Sequence, residues 1–124
     1  MPATNYLRTS VGNHVLTNTA WTSPTTVYCA LFTDAPDETG GGTEVTGGSY
    51  SREAITWTET STDGEFENNS ISFTDMPEAT VVAIGVYDAD TAGNLLYFET
   101  FSPVSVAATE TYPVNAGVMT IRHE

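Results

Sequence analysis

The 124-residue chain carries a formal net charge of −13, with sixteen acidic residues against three arginines, Arg8, Arg52 and Arg122, and no lysine. So acidic a surface repels phosphate backbones, which excludes nucleic-acid binding as a working reading. A hydrophobic content of 40%, with five Phe, two Trp and six Tyr, excludes disorder, and the length fits a single domain over residues 1–124 with one core.

An acidic folded surface keeps its hydration in concentrated salt, where screening over a few ångströms removes most self-repulsion, so a halophilic source is expected. Cys29 is alone and cannot form an intramolecular disulfide; inside an apolar run it reads as a small packing residue. The N-terminus lacks a positive region followed by an apolar core, and no window reaches the length of a membrane span. Synthesis in the cytoplasm without membrane insertion is the expectation.

Residues 4–18 read as the single helix. Thr4 or Asn5 can cap it, and Leu7, Val11 and Val15, with Tyr6 and Leu16, form an apolar stripe at helical spacing. A connector containing Pro24 leads into a first strand over 27–33, apolar on both faces, which should be covered twice: by an opposite sheet, and by the helix or a neighbouring subunit. An acidic, glycine-rich excursion follows, in which five of the ten glycines fall between Gly40 and Gly48. Ile55 and Trp57 alternate with threonines as in a half-buried strand. The stretch 61–69 is polar and turn-rich, Ile71 and Phe73 mark a short strand ending at Met76-Pro77, and 81–88 is another strand apolar on both faces. Asp88 to Asn94 has the composition of a hairpin turn; 95–101 returns until Pro103 breaks it, and 105–114 with 118–122 close the fold. Seven to eight short strands after one helix predict a mainly β chain, an antiparallel β-sandwich of jelly-roll or immunoglobulin-like kind over 26–124.

Signals for chemistry are sparse. His14 and His123 read as surface residues, and no nucleophile elbow, phosphate loop or zinc spacing is present, so no enzyme and no organic cofactor are expected. Asp88, Asp90, Asn94 and Glu99 approximate the spacing of a calcium loop, although Ala92 stands at a ligand position; an ordinary acidic turn is the competing account. The excursion offers Asp34, Asp37, Glu38 and Glu44 as an interaction loop or second cation site, with Tyr50 and Arg52 at its exit. Arg52 is expected to bridge Asp34 or Glu44 and pin the loop. Tyr6, Trp21, Tyr50 and Trp57 could together form an aromatic sugar platform, against the plainer reading that they are core. Asn68-Asn69-Ser70 is a formal glycosylation sequon, read as chance.

The succession Ala30-Leu-Phe-Thr-Asp-Ala-Pro36, then Gly40-Gly-Gly-Thr-Glu-Val-Thr-Gly-Gly-Ser-Tyr-Ser-Arg-Glu-Ala-Ile55, resembles a family of small structural proteins of tailed viruses, many described as tail-fibre proteins. The leading Tyr6 to Tyr28 segment, the Ile84 to Phe98 hairpin and the Val114 to Ile121 ending extend the likeness over nearly the whole chain. The resemblance implies a virion protein without turnover. On it we expect a capsid decoration or turret subunit on the head, because one compact domain lacks a fibre's shaft; the alternative is a tail-fibre or tail-tip component binding a receptor or host-surface glycan. Strands apolar on both faces suggest a homo-oligomer, trimer or pentamer, alongside the major capsid protein or tail proteins as partners.

Overall fold

A computed structural model describes residues 1–123. The helix α1 spans Asn5–Leu16. Thr4 caps it: its Oγ1 accepts from Leu7 N at 3.3 Å and donates to Leu95 O at 2.6 Å, so the helix start is tied to the sheet beneath. The helix ends two residues before the expected limit, where Asn18 takes a left-handed φ of 56°.

Ten strands follow: β1 (Val27–Asp34), β2 (Thr43–Glu44), β3 (Glu53–Ile55), β4 (Trp57–Glu59), β5 (Glu65–Asn68), β6 (Ile71–Phe73), β7 (Ala79–Tyr87), β8 (Leu95–Val106), β9 (Tyr112–Val114) and β10 (Thr120–Arg122). All pairings are antiparallel. The main sheet has the order β2-β1-β7-β8, with β3 also on β1; smaller sheets are β10-β5-β4 and β6-β9. The larger core lies where one face of the main sheet (Cys29, Leu31, Ile55, Val81, Ile84) meets Phe73, Met76, Val114 and Met119 from the other strands and their connections. This is a sandwich-like arrangement in which the facing layer is split into two short sheets.

Four expectations are corrected. The strand expected around Trp57 is two strands. At Thr56 the chain leaves the main sheet for the small one, and Asn69 holds the crossing with its Oδ1 accepting from Thr56 N at 2.9 Å and its N donating to Thr56 O at 2.9 Å. The polar stretch 61–69 contains β5, which lies centrally in its sheet and turns only Phe66 of its side chains into an apolar environment, too little for a hydrophobic pattern to show. Pro103 does not end β8. The strand runs through it because β8 is an edge strand with an irregular register between Val81/Val104 and Ala83/Thr100, where a missing N–H costs no ladder bond.

The fourth correction concerns cover. β1 is indeed buried on both faces, but its own chain suffices. Ala30 and Phe32 pack with Ala83, Leu95 and Phe98, Tyr87 stacks on Phe32 at 6.2 Å, and the N-terminal segment lies along β8 with Phe98 N donating to Pro2 O at 3.1 Å. The helix contributes less than its stripe implied, since only Leu7 is buried.

Candidate interaction surface

The excursion, the β7–β8 turn and the start of α1 meet around Tyr87, and Arg52 joins the first two. Its guanidinium makes a forked contact with Glu44, Nη2 to Oε1 at 2.9 Å and Nε to Oε2 at 3.0 Å. Its Nη1 donates to Ala89 O at 2.9 Å and Ala92 O at 2.7 Å, and the group lies 3.6 Å from the centre of the Tyr87 ring. The Arg52 side chain is only 8% exposed and that of Glu44 24%. Of the two acids the sequence offered, Arg52 takes Glu44; Asp34 stays at the exposed end of β1.

Tyr50 completes the clamp. Its hydroxyl donates to Glu44 Oε2 at 2.7 Å and accepts from Leu31 N at 3.0 Å, while its ring stacks on Phe73 at 5.8 Å. Burial, and after it Glu44, push the Tyr50 hydroxyl above its ordinary range. Tyr50 is therefore half-buried against the larger core, with its ring stacked on Phe73.

The outer loop is held separately. Asp37 accepts from Thr39 N at 2.8 Å and Thr39 Oγ1 at 2.6 Å, which lowers its pKa below the usual carboxylate value. Glu38 reaches the helix start: its O accepts from Asn5 N at 2.8 Å, and its Oε2 pairs with Arg8 Nη2 at 3.2 Å. Glycine is required at position 42, where φ is 75° and a Cβ would lie 2.7 Å from Asp34 O. Two shallow recesses of about 260 and 370 Å³ flank the clamp, the first between the helix start and Gly40-Gly41, the second between Thr46-Gly47 and Asp90-Thr91. Asp34, Asp37, Glu38 and Asp90 face solvent around them.

The calcium spacing does not become a convergent ligand set. Asp88 spends both oxygens on the turn, Oδ1 on Asn94 N at 2.7 Å and Oδ2 on Asn94 Nδ2 at 3.1 Å. Glu99 sits opposite Ile84, four residues along β8 from Leu95 and so roughly 13 Å from the turn. Among the described residues no group of three or more His, Cys, Asp or Glu could hold a metal ion. The aromatic platform does not assemble either: Trp21 Nε1 donates to Tyr6 Oη at 3.3 Å beside the helix, whereas Tyr50 and Trp57 pack against the larger core. His14 bonds only Thr19 O, at 3.3 Å. Asn68 of the sequon is 2% exposed and ties β5 to the loop before β10, with Nδ2 on Asn115 O at 3.1 Å and Oδ1 on Met119 N at 2.9 Å.

The family described as Podophage GP4 fiber I protein gp80 matches residues 2–122. The chain belongs to that family. It is thus a structural protein of the phage-fibre type and a component of the virion. No curated protein matches the chain. The family gives the tail-fibre alternative the support that the head-decoration reading lacks, and the compactness that had favoured the head is no argument against a fibre protein of this size.

Two features of this fibre-family chain escaped sequence reasoning. Asn68 looked like a chance sequon, and nothing in its neighbours marks it as a buried cross-tie. His123 is exposed, as expected of a surface residue, and it also borders an aromatic recess of about 230 Å³ lined by Val27, Trp57, Phe66, Tyr97 and Ile121, with its Nε2 hydrogen-bonded to Tyr97 Oη at 2.8 Å. Phe66 and Tyr97 meet the His123 ring edge-on, at 6.3 and 6.0 Å.

Proposed function

We propose that this protein is a tail-fibre subunit that works by multivalent attachment and performs no turnover, presenting the loop end around Arg52 to the host surface. The family match over residues 2–122 carries this reading. The geometry supports it in one specific way: Arg52 and Glu44 brace the β7–β8 turn, and Asn5 and Arg8 hold the outer loop at Glu38, so that Asp37, Glu38 and Asp90 form a fixed acidic rim. A braced rim loses little conformational freedom on contact, so each copy binds at low entropic cost, and many weak contacts add through effective concentration. The partner is a host-surface receptor or glycan, bound by many copies of this chain held together in the fibre.

Adsorption of virus to host cells in the presence of the purified protein tests this. Competition that slows adsorption, and that is lost when Glu38 and Asp90 are both changed to lysine, is the expected result. Gold-labelled antibodies against the protein decorating the head and leaving the tail bare would overturn it.

A further inference from the structure

Every one of the sixteen acidic residues lies at or beyond Asp34, so residues 1–33 hold no carboxylate and carry Arg8 and His14. Within this stretch the second half of the helix and the connector after it leave the body before β1 enters the main sheet. Leu7, Val11 and Val15 share one helical stripe, yet their exposure climbs from 5% to 37% to 69%, and Leu16 at the helix end is 83% exposed. The helix therefore lifts off the sheet as it proceeds, and residues 13–20 are exposed without exception before the chain returns past Tyr6 at Trp21. The product is an arm, with an apolar tip at Val15 and Leu16.

The same chain carries a recess suited to that tip. The aromatic recess bordered by His123 is open to solvent and predominantly apolar, and at about 230 Å³ it exceeds the roughly 150 Å³ that accommodates a benzene-sized group. Glu59, exposed and paired in register with Phe66, stands on the neighbouring strand of its sheet. No residue of the arm's tip lines it.

We infer that the arm of one copy docks on a second copy, with Val15 and Leu16 seated in the recess of Val27, Trp57, Phe66, Tyr97 and Ile121. Charge selects this occupant. Two molecules of net charge −13 repel through most pairs of surfaces, whereas the exposed arm over 13–20 holds no acid and carries His14, so it approaches an acidic neighbour without adding to the repulsion. Tip and recess occupy different places on the molecule, so the contact is heterologous: repeated around an axis it closes a ring, and otherwise it grows a filament. The inference rests on the multi-copy reading above and assigns its interface.

Sedimentation velocity on the full chain, with Val15→Asp/Leu16→Asp as the tip variant, provides the first test. Both positions are exposed, so the variant folds. Self-association of the unaltered protein should weaken about a hundredfold or more, each lost apolar anchor being worth upwards of a factor of ten. The second test mixes two singly substituted chains, Leu16→Cys and Glu59→Cys, under mild oxidation; Cys29 is fully buried and does not compete. A disulfide dimer joining one chain of each kind, far in excess of the homodimers, is expected. An unaltered protein that stays monomeric at high concentration overturns this interface together with the multi-copy reading. Oligomers that survive the tip variant, or the absence of the mixed disulfide, overturn the interface alone.

Discussion

Arg52→Leu tests whether the loop end is braced as described. The substitution keeps apolar cover over Tyr87 but removes the forked contact to Glu44, two bonds to the carbonyls of Ala89 and Ala92, and the ring contact at 3.6 Å. Breaking one partner of a buried pair costs about 3–5 kcal/mol, because the remaining charge is stranded. With Glu44 at 24% side-chain exposure, water recovers part of that loss, and the lower figure of about 3 kcal/mol applies. For a domain of this length that corresponds to a fall of roughly 10 °C in Tm. Because the arginine is nearly buried, the fall should persist at high salt. Arg52→Lys should recover little, since an ammonium cannot make the fork. The assay is thermal unfolding followed by circular dichroism, with Glu44→Gln and the double variant completing a cycle; a coupling energy of about 1.5 kcal/mol or more is expected. A Tm within about 2 °C of the unaltered protein would refute the clamp.

Four further outcomes follow from the same geometry. Thr39→Val should raise the Asp37 pKa towards 3.8 in an NMR titration, because the hydroxyl donor is its largest depressing influence; an unmoved titration contradicts the turn. The sign for stability is that of a depressed carboxylate: the contribution is present at neutral pH and is lost as pH falls through the lowered pKa of Asp37. Burial, then Glu53, pushes the Cys29 thiol far above its ordinary range, so a thiol reagent should find no reactive group in the folded protein and one after denaturation; fast reaction in native buffer would disprove that placement. Calcium titrated calorimetrically into chelator-treated protein should give no heat, since Asn94 occupies Asp88 and Glu99 is remote; saturable heat abolished by Asp88→Asn would show that the turn rearranges around an ion. Finally, the excess of acid predicts that Tm rises between low salt and about 1 M sodium chloride as screening shortens to about 3 Å; a flat response removes the case for a halophilic surface.

Much of the fold was readable where local chemistry and tertiary packing agree. Thr4 before an amphipathic run marked the helix start, and the Asp88 to Asn94 turn between two apolar strands marked the hairpin. Legibility failed where a strand's identity depends on its neighbours. β5 places charged residues on its outer face and one phenylalanine inside, so alternation has nothing to act on until β4 and β10 pair with it. Pro103 reads as a stop because sequence does not reveal which strand lies at an edge. An apolar stripe such as Leu7, Val11 and Val15 shows that a helix has something to bury, but not whether the partner belongs to the same molecule. At the loop end, Arg52 stood out as a rare cation after the excursion, and its pairing with Glu44 could be anticipated. Its reach to Ala89 and Ala92 could not, because residues nearly forty positions apart meet only through the β1–β7 pairing.

The most direct measurement is an electron-microscopy reconstruction of the intact particle at a resolution that distinguishes strands. The account predicts that the ten-stranded body, with its short N-terminal helix, fits density in the tail fibres, present in several copies. Density for this fold on the head shell, with none in the tail, would contradict it.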